Sequence, residues 1–199
     1  MLRTVPRRLL DVGCSDGSLA LTVKERGAEA WGIEIDSAFA EIASGRLDKV
    51  LQGDALVLSS ELVNAGERFD AIICADSLEH MVDPWTVLRN VRRLVEDNGV
   101  VVVSLPNVRF YTTLVGLILE GRWRYLDRGV HDRTHLRWFT NLNARDMFAE
   151  TGFQVEDSLT HFRIFDRPTH QGNRPARYLA VGPLRDFLAY QFVYRLRPV

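Results

Sequence analysis

The chain has 199 residues, 46% hydrophobic and 26% charged, a make-up that excludes a disordered or fibrous protein. Its 25 Lys and Arg nearly balance 26 Asp and Glu, so no whole-molecule field draws in nucleic acid or an anionic membrane. Cys14 and Cys74 lie far apart within apolar segments, which predicts reduced thiols rather than a disulfide framework and provides no metal-binding cysteine pair.

Met1 to Arg8 is short and basic, without the apolar stretch and cleavage site of a secretory signal. The apolar run Leu114 to Leu119 stops at Glu120, well short of the roughly 20 residues that span a bilayer. A cytoplasmic protein without membrane insertion is expected. Arg8 to Val12 reads as a buried strand ended by Gly13, and Ser18 to Arg26 as a helix stopped by Gly27. Ala30 to Ile35 is a second strand, Ala38 to Arg46 a second helix, and Val50 to Leu51 a short third strand running into Gly53 and Asp54.

Phe69 to Ala75 makes a fourth strand. Pro84 to Glu96 is a helix with Val87, Leu88, Val91, Leu94 and Val95 as its apolar positions, and Val100 to Leu105 is a fifth strand entered by an Asn98-Gly99 turn. The apolar runs are continuous rather than alternating, as a parallel sheet covered on both faces requires. Beyond Pro106 come an apolar helix from Arg109 to Glu120 and an insertion, Gly121 to Thr140, rich in Arg, Trp, Asp and His. Thr140 then caps a helix ending at Gly152, and Phe153 to Leu159 with Ala189 to Arg195 closes the sheet as a hairpin-like edge. The expected fold is a doubly wound, mostly parallel α/β sheet with an antiparallel edge strand. Residues 1–199 read as one domain: a core over 8–107, an insertion or lid over 108–140, and a C-terminal helix and edge strands over 141–199.

The stretch Leu9-Leu10-Asp11-Val12-Gly13-Cys14-Ser15-Asp16-Gly17 joins a strand to a helix through a glycine-bearing turn. Glycine lets backbone approach a ligand, and a helix N-terminus offers unpaired N–H groups; a purely structural turn is the ordinary alternative. The dinucleotide fingerprint needs glycine at positions 15 and 18, where this chain has Ser15 and Ser18. Asp11 and Asp16 put negative charge around the turn, which repels a pyrophosphate and suits a ligand carrying an ammonium and a sulfonium. Glu34 ends the second strand, where a carboxylate can accept from both ribose hydroxyls, with Asp36 as a rival. Asp54-Ala55 follows the third strand, where the acid could accept from an adenine amine or simply form a turn.

In this order the residues resemble class I S-adenosylmethionine-dependent methyltransferases, a Rossmann-like family with a seven-stranded sheet. The resemblance implies that Asp11, Gly13, Cys14, Ser15, Asp16 and Gly17 hold the methionine part of S-adenosyl-L-methionine. It further implies Glu34, with Ile35 beside it, at the ribose, Asp54 and Ala55 at the adenine, and Ala75 against the cofactor from the fourth strand. Ser15 stands where the family usually has a second glycine. The segment Leu78-Glu79-His80-Met81-Val82-Asp83-Pro84 looks like that of ubiquinone-biosynthesis O-methyltransferases. Ser104-Leu105-Pro106-Asn107, Gly121-Arg122-Trp123 and Asp132 to Thr140 are similar to methyltransferases found alongside glycosyltransferases. Methylation of a small molecule or saccharide, at oxygen, is the implied reaction, with no nucleic-acid partner. The family usually has helices ahead of its first strand that cover the cofactor; here that strand begins close to Met1, so a homodimer or a partner chain is an alternative cover.

A hydroxyl acceptor needs a base. His80, His131 and His135 fall in segments expected above the cofactor, with His135 favoured and His80 its competitor. Each also has an ordinary reading as a hydrogen-bonded structural residue. Asp76, Glu79 and His80 would share one face of a helix and form a metal alternative, ranked second, so no metal is assigned. Arg122, Arg124, Arg133 and Arg137, among Trp123, Tyr125 and Trp138, make either a ligand-clamping lid or a packed cover. Arg174, Arg177, Arg185, Arg195 and Arg197 read as a solvated face. A cofactor-binding protein without turnover and, further off, an NAD-dependent oxidoreductase are the competing functions.

Overall fold

The computed structural model describes residues 1–165, 173, 175–179, 181–182 and 185–199, without the side chain of Arg177. Strands and helices alternate through β1 (Arg8–Val12), α1 (Ser18–Lys24), β2 (Glu29–Glu34), α2 (Ser37–Ser44), β3 (Lys49–Gln52), α3 (Ala55–Asn64) and β4 (Phe69–Ala75). A 3-10 turn at Leu78–His80 leads to α4 (Pro84–Leu94), β5 (Val95–Pro106), α5 (Tyr111–Leu119), α6 (Asn141–Glu150) and β6 (Phe153–Phe162). Two single-turn helices, α7 (Ala176–Leu179) and α8 (Arg185–Leu188), precede β7 (Ala189–Pro198).

The sheet order is β3-β2-β1-β4-β5-β7-β6. β1 to β5 pair in parallel, and β7 runs antiparallel to both β5 and β6. The doubly wound architecture expected from the apolar runs is the one observed. Alternation along each strand feeds two cores: Leu10, Val12, Ile72 and Cys74 face a cluster with α3, α4 and α6, while Leu9, Ala71 and Ile73 face α1 and α2. Fully burying a side chain such as Leu88 on α4 contributes roughly 1.5–3 kcal/mol.

Local features differ from the sequence reading: α4 stops at Leu94, so that Val95 and Glu96 begin β5, and Leu78–His80 forms a 3-10 turn. α3 was not expected between the third and fourth strands; its start is fixed by Asp54, whose Oδ1 accepts from the Leu56 amide at 2.7 Å, and Leu62 anchors it to the core. The Asn98-Gly99 pair does not precede β5 but lies inside it, at a register shift against β4. Glycine is required there because a Cβ on Gly99 would come within 2.6 Å of Val95 Cγ2 and 3.0 Å of the Asp70 carbonyl oxygen.

From β1 the chain winds outward to β2 and β3, then returns to β4 beside β1 and proceeds to β5. The sheet therefore reverses direction between β1 and β4, and a crevice opens beyond their carboxyl ends.

Candidate active site

Gly13 leaves β1 at φ +79, and a Cβ there would stand 2.6 Å from Ser77 Cβ, so the tips of β1 and β4 close on each other only because residue 13 is glycine. Ser15 follows at φ +50, a left-handed conformation that costs a non-glycine residue roughly 1–2 kcal/mol. It is held there by its amide, which donates to Glu34 Oε2 at 2.7 Å. Cys14 is buried against Gly32 of β2, and burial pushes its thiol up to about 12, so it acts as a packed apolar group rather than a nucleophile.

The acids predicted at this turn have separate roles. Asp16 pairs with Arg46 and accepts from the Ser18 amide and hydroxyl at 3.1 and 2.8 Å, and the Arg46 hydrogen bond leads in lowering its carboxyl to about 2. It clamps the turn onto the segment that follows α2, with Gly17 at φ +77 entering α1. Asp11 is 1% exposed, and its Oδ1 has no hydrogen-bond partner. Burial first and the Glu34 carboxylate second raise its pKa to about 8. Beside Glu34, a buried carboxyl oxygen with no donor of its own is a ready acceptor for the N–H of an ammonium.

Glu34 Oε1 accepts from the Asp36 amide at 2.9 Å while Oε2 holds Ser15. Each oxygen retains a lone pair for a further donor. Asp36 is not free to compete, since its side chain caps α2 through the Ala38 and Phe39 amides. Asp54 likewise caps α3, whose first residue is Ala55, while Ile35 is 69% exposed beside Glu34, an apolar face open to a flat ring. Ala75, at the tip of β4, lines an apolar cavity of about 360 Å³ with Leu19, Val102 and Gln191.

Beyond Asp76 lies a second, polar cavity of about 260 Å³, lined by Glu79, His80, Asp132, His135, Arg163 and Tyr190 among others. Asp76 takes φ +48, its carboxylate accepting from Gln191 Nε2 at 2.7 Å on both oxygens and from the Ser104 hydroxyl at 3.0 Å. The insertion reaches this cavity because the Glu79 carbonyl accepts the amides of Leu136 and Arg137 at 2.8 and 3.0 Å. His135 is buried, its Nε2 3.9 Å from Glu79 Oε1, and desolvation followed by the charge of His80 lowers its pKa. Glu79 Oε2 is buried with no hydrogen-bond partner, and burial raises that acid well above the usual carboxylate range. His80 is exposed and meets His135 edge to face, with ring centroids 4.7 Å apart.

The donor atoms of Glu79, His80 and His135 lie within 4.8 Å of one another, a spacing that admits one cation. The metal alternative read from the sequence thus reappears with His135 in place of Asp76. His131 is elsewhere: buried, its Nε2 2.9 Å from Thr113 Oγ1, it ties the insertion to α5. The arginines of the insertion are mostly engaged in packing, Arg124 with Glu120, Arg133 with Asp127 and Arg137 with the Val82 carbonyl. At the C-terminus, Arg195 and Arg197 share Glu156 and Arg185 lies over Phe162, while Arg174 and the Arg177 side chain fall outside the described residues. Thr134, Arg163, Tyr190 and Gln191 were not singled out in the sequence. Only Asp132-Arg133-Thr134, an acid two residues before a hydroxyl, carried a local signal, that of a turn.

No helix among the described residues is long and apolar enough to cross a membrane. The chain is 32% identical over 155 residues to the ubiquinone biosynthesis O-methyltransferase of Azorhizobium caulinodans, covering 73% of this chain and 56% of that protein. It therefore spans little more than half the length of that relative. Among solved structures it resembles an Archaeoglobus fulgidus SAM-dependent methyltransferase at TM-score 0.67 and 18% identity, covering 96% of this chain and 85% of the other. The [4+2]-cyclase SpnF shares the fold at TM-score 0.65 and 19% identity, over 100% of this chain and 77% of its own. A family model described as a methyltransferase domain matches residues 2–158. With that match over most of the sequence and the β3-β2-β1-β4-β5-β7-β6 sheet, the chain belongs to the methyltransferase-domain family and has the class I S-adenosylmethionine-dependent fold.

Proposed function

We propose that the protein transfers a methyl group from S-adenosyl-L-methionine to a hydroxyl of a small molecule or saccharide. The observation that carries this reading is the pairing of two unlike sites at the switch point. Asp11 and Glu34 make a seat of hydrogen-bond acceptors suited to an ammonium and to ribose hydroxyls, and a polar cavity with imidazoles opens just past Asp76. The residues fit the cofactor: the orphaned Asp11 Oδ1 lies at the turn Gly13 to Gly17 that would receive the ammonium, and Glu34 has lone pairs for the ribose. Ile35, Asp54 and Ala55 would border the adenine, and Ala75 the methionine chain. When bound, the cofactor supplies an electrophilic methyl carbon, so the protein's task is alignment, exclusion of water and proton removal.

For the proton, His80 is the better base than His135, reversing the order read from the sequence. His135 is 4% exposed and wedged against Glu79, whereas His80 presents an open ring to the cavity. Glu79 Oε2 is buried without a partner and burial raises that acid's pKa, so we read the cluster with His80 and His135 as proton-handling, with a divalent ion as the alternative. The similarity to an O-methyltransferase of Azorhizobium caulinodans supports oxygen as the acceptor atom, and the polar lining supports a polyhydroxylated one. Residues 1–199 are read as one domain, with 108–140 as its lid, working in the cytoplasm with its two thiols reduced. A covering partner, homodimeric or otherwise, would sit over the apolar cavity beside Ala75.

Calorimetric titration with S-adenosylmethionine and with NADH tests the cofactor, and methyl release onto a panel of sugars and phenols tests the reaction. Binding of the first compound alone is expected, with turnover lost in His80→Ala and cofactor affinity kept. No binding of S-adenosylmethionine would remove the proposal.

A further inference from the structure

The hydrogen bonds around His80 leave its ring proton one place to be. Asp132 Oδ1 accepts the Thr134 amide at 2.8 Å and the Thr134 hydroxyl at 2.6 Å. Burial pushes the Asp132 carboxyl up, but the two Thr134 hydrogen bonds and the nearby imidazoles outweigh it and leave the pKa lowered. At neutral pH Asp132 is therefore an acceptor only. Thr134 has a single hydroxyl proton, and two oxygens 2.6 Å apart with no proton between them would repel, so that proton lies toward Asp132.

With its proton committed, Thr134 Oγ1 can meet His80 Nδ1, 3.0 Å away, only as an acceptor. The Thr134 carbonyl oxygen, 3.3 Å from the same nitrogen, can never be anything else. Both neighbours of Nδ1 thus demand an N–H there, and the neutral ring then keeps its lone pair on Nε2. We infer that Asp132 and Thr134 are positioning residues that hold His80 as its Nδ1–H tautomer and so present Nε2 as the proton acceptor at the polar cavity. This gives the insertion a task beyond covering the site: Thr134 reaches a histidine 54 residues earlier in the chain and fixes which nitrogen can work.

The role in catalysis rests on the methyl-transfer reading, whereas the tautomer does not. The test therefore has a spectroscopic arm and a kinetic arm. Nitrogen NMR of the ¹⁵N-histidine-labelled protein at about pH 8, with His80→Gln to assign the ring, should show a protonated Nδ1 and a bare Nε2. Thr134→Val should shift the ring toward the opposite tautomer and lower kcat by about tenfold or more with KM unchanged, and Thr134→Ser should restore both. A wild-type ring protonated on Nε2 overturns the inference, as does a Thr134→Val protein with the wild-type tautomer and kcat. If Thr134→Val fails to fold, the wild-type spectrum decides alone. A wild-type protein that transfers no methyl group to any acceptor overturns the functional reading, while the spectrum still decides the tautomer.

Discussion

Replacing Asp11 by Asn should remove one specific slope from the pH dependence of stability. Burial, then the Glu34 carboxylate, raises Asp11 from 3.8 to about 8 in the folded chain. Between those values the native state keeps a proton that the unfolded chain has released. The native state binds more protons, so stability falls as the pH rises through the window. At about 1.4 kcal/mol per pH unit, the loss is on the order of 4 kcal/mol at neutral pH. Asn has nearly the shape of the protonated acid and no proton to lose. Urea unfolding of both proteins from about pH 4 to 8 should show the variant gaining on the wild type by about 1.4 kcal/mol per pH unit, at equal m-value. Asp16, Glu156, Glu79 and His135 also shift but are common to both proteins and cancel in the difference. A stability difference that does not change with pH would refute the reasoning, because it would mean that Asp11 is ionised in the folded chain.

Four further outcomes follow from the same geometry. Gly13→Ala should lower stability by about 3 kcal/mol in urea unfolding, combining a left-handed alanine with a 2.6 Å approach to Ser77 Cβ. Ser15→Gly should raise stability by about 0.5 kcal/mol, the relief at φ +50 being partly offset by the entropy of the unfolded glycine. Glu34→Ala should weaken S-adenosylmethionine binding by about tenfold or more in calorimetry, since charge-assisted hydrogen bonds contribute roughly 1.5–3 kcal/mol each; unchanged affinity would remove the ribose assignment. Adding a strong chelator to the methyl-release assay should leave the rate unaltered, and a loss restored by magnesium would return Glu79, His80 and His135 to the role of metal ligands.

Much of the crevice at the β1–β4 switch point was legible in the sequence because it is written locally. A strand, its terminal glycine and the next helix occupy about ten residues, and the acids Asp11, Glu34 and Asp54 are fixed to strand ends by the βα repeat itself. Even so, their division of labour was not. Asp16, Asp36 and Asp54 prove to be committed to a helix or a guanidinium, which frees Glu34 from its rival and leaves Asp11 as the unpartnered acid. An acid after a strand reads equally as a ligand, a turn residue or a helix cap, and only the fold shows that Asp54 starts α3.

By itself the sequence determined the alternation of buried strands and helices, the parallel sheet those runs require, and the glycine-bearing turn that joins β1 to α1. These rest on periodicity and turn chemistry that act over a few residues. Only the tertiary structure decided which histidine stands open, that Gln191 of β7 grips Asp76, and that Thr134 answers His80. Such contacts join segments far apart in the chain, and their pairing depends on the path of the backbone between them rather than on any pattern along it.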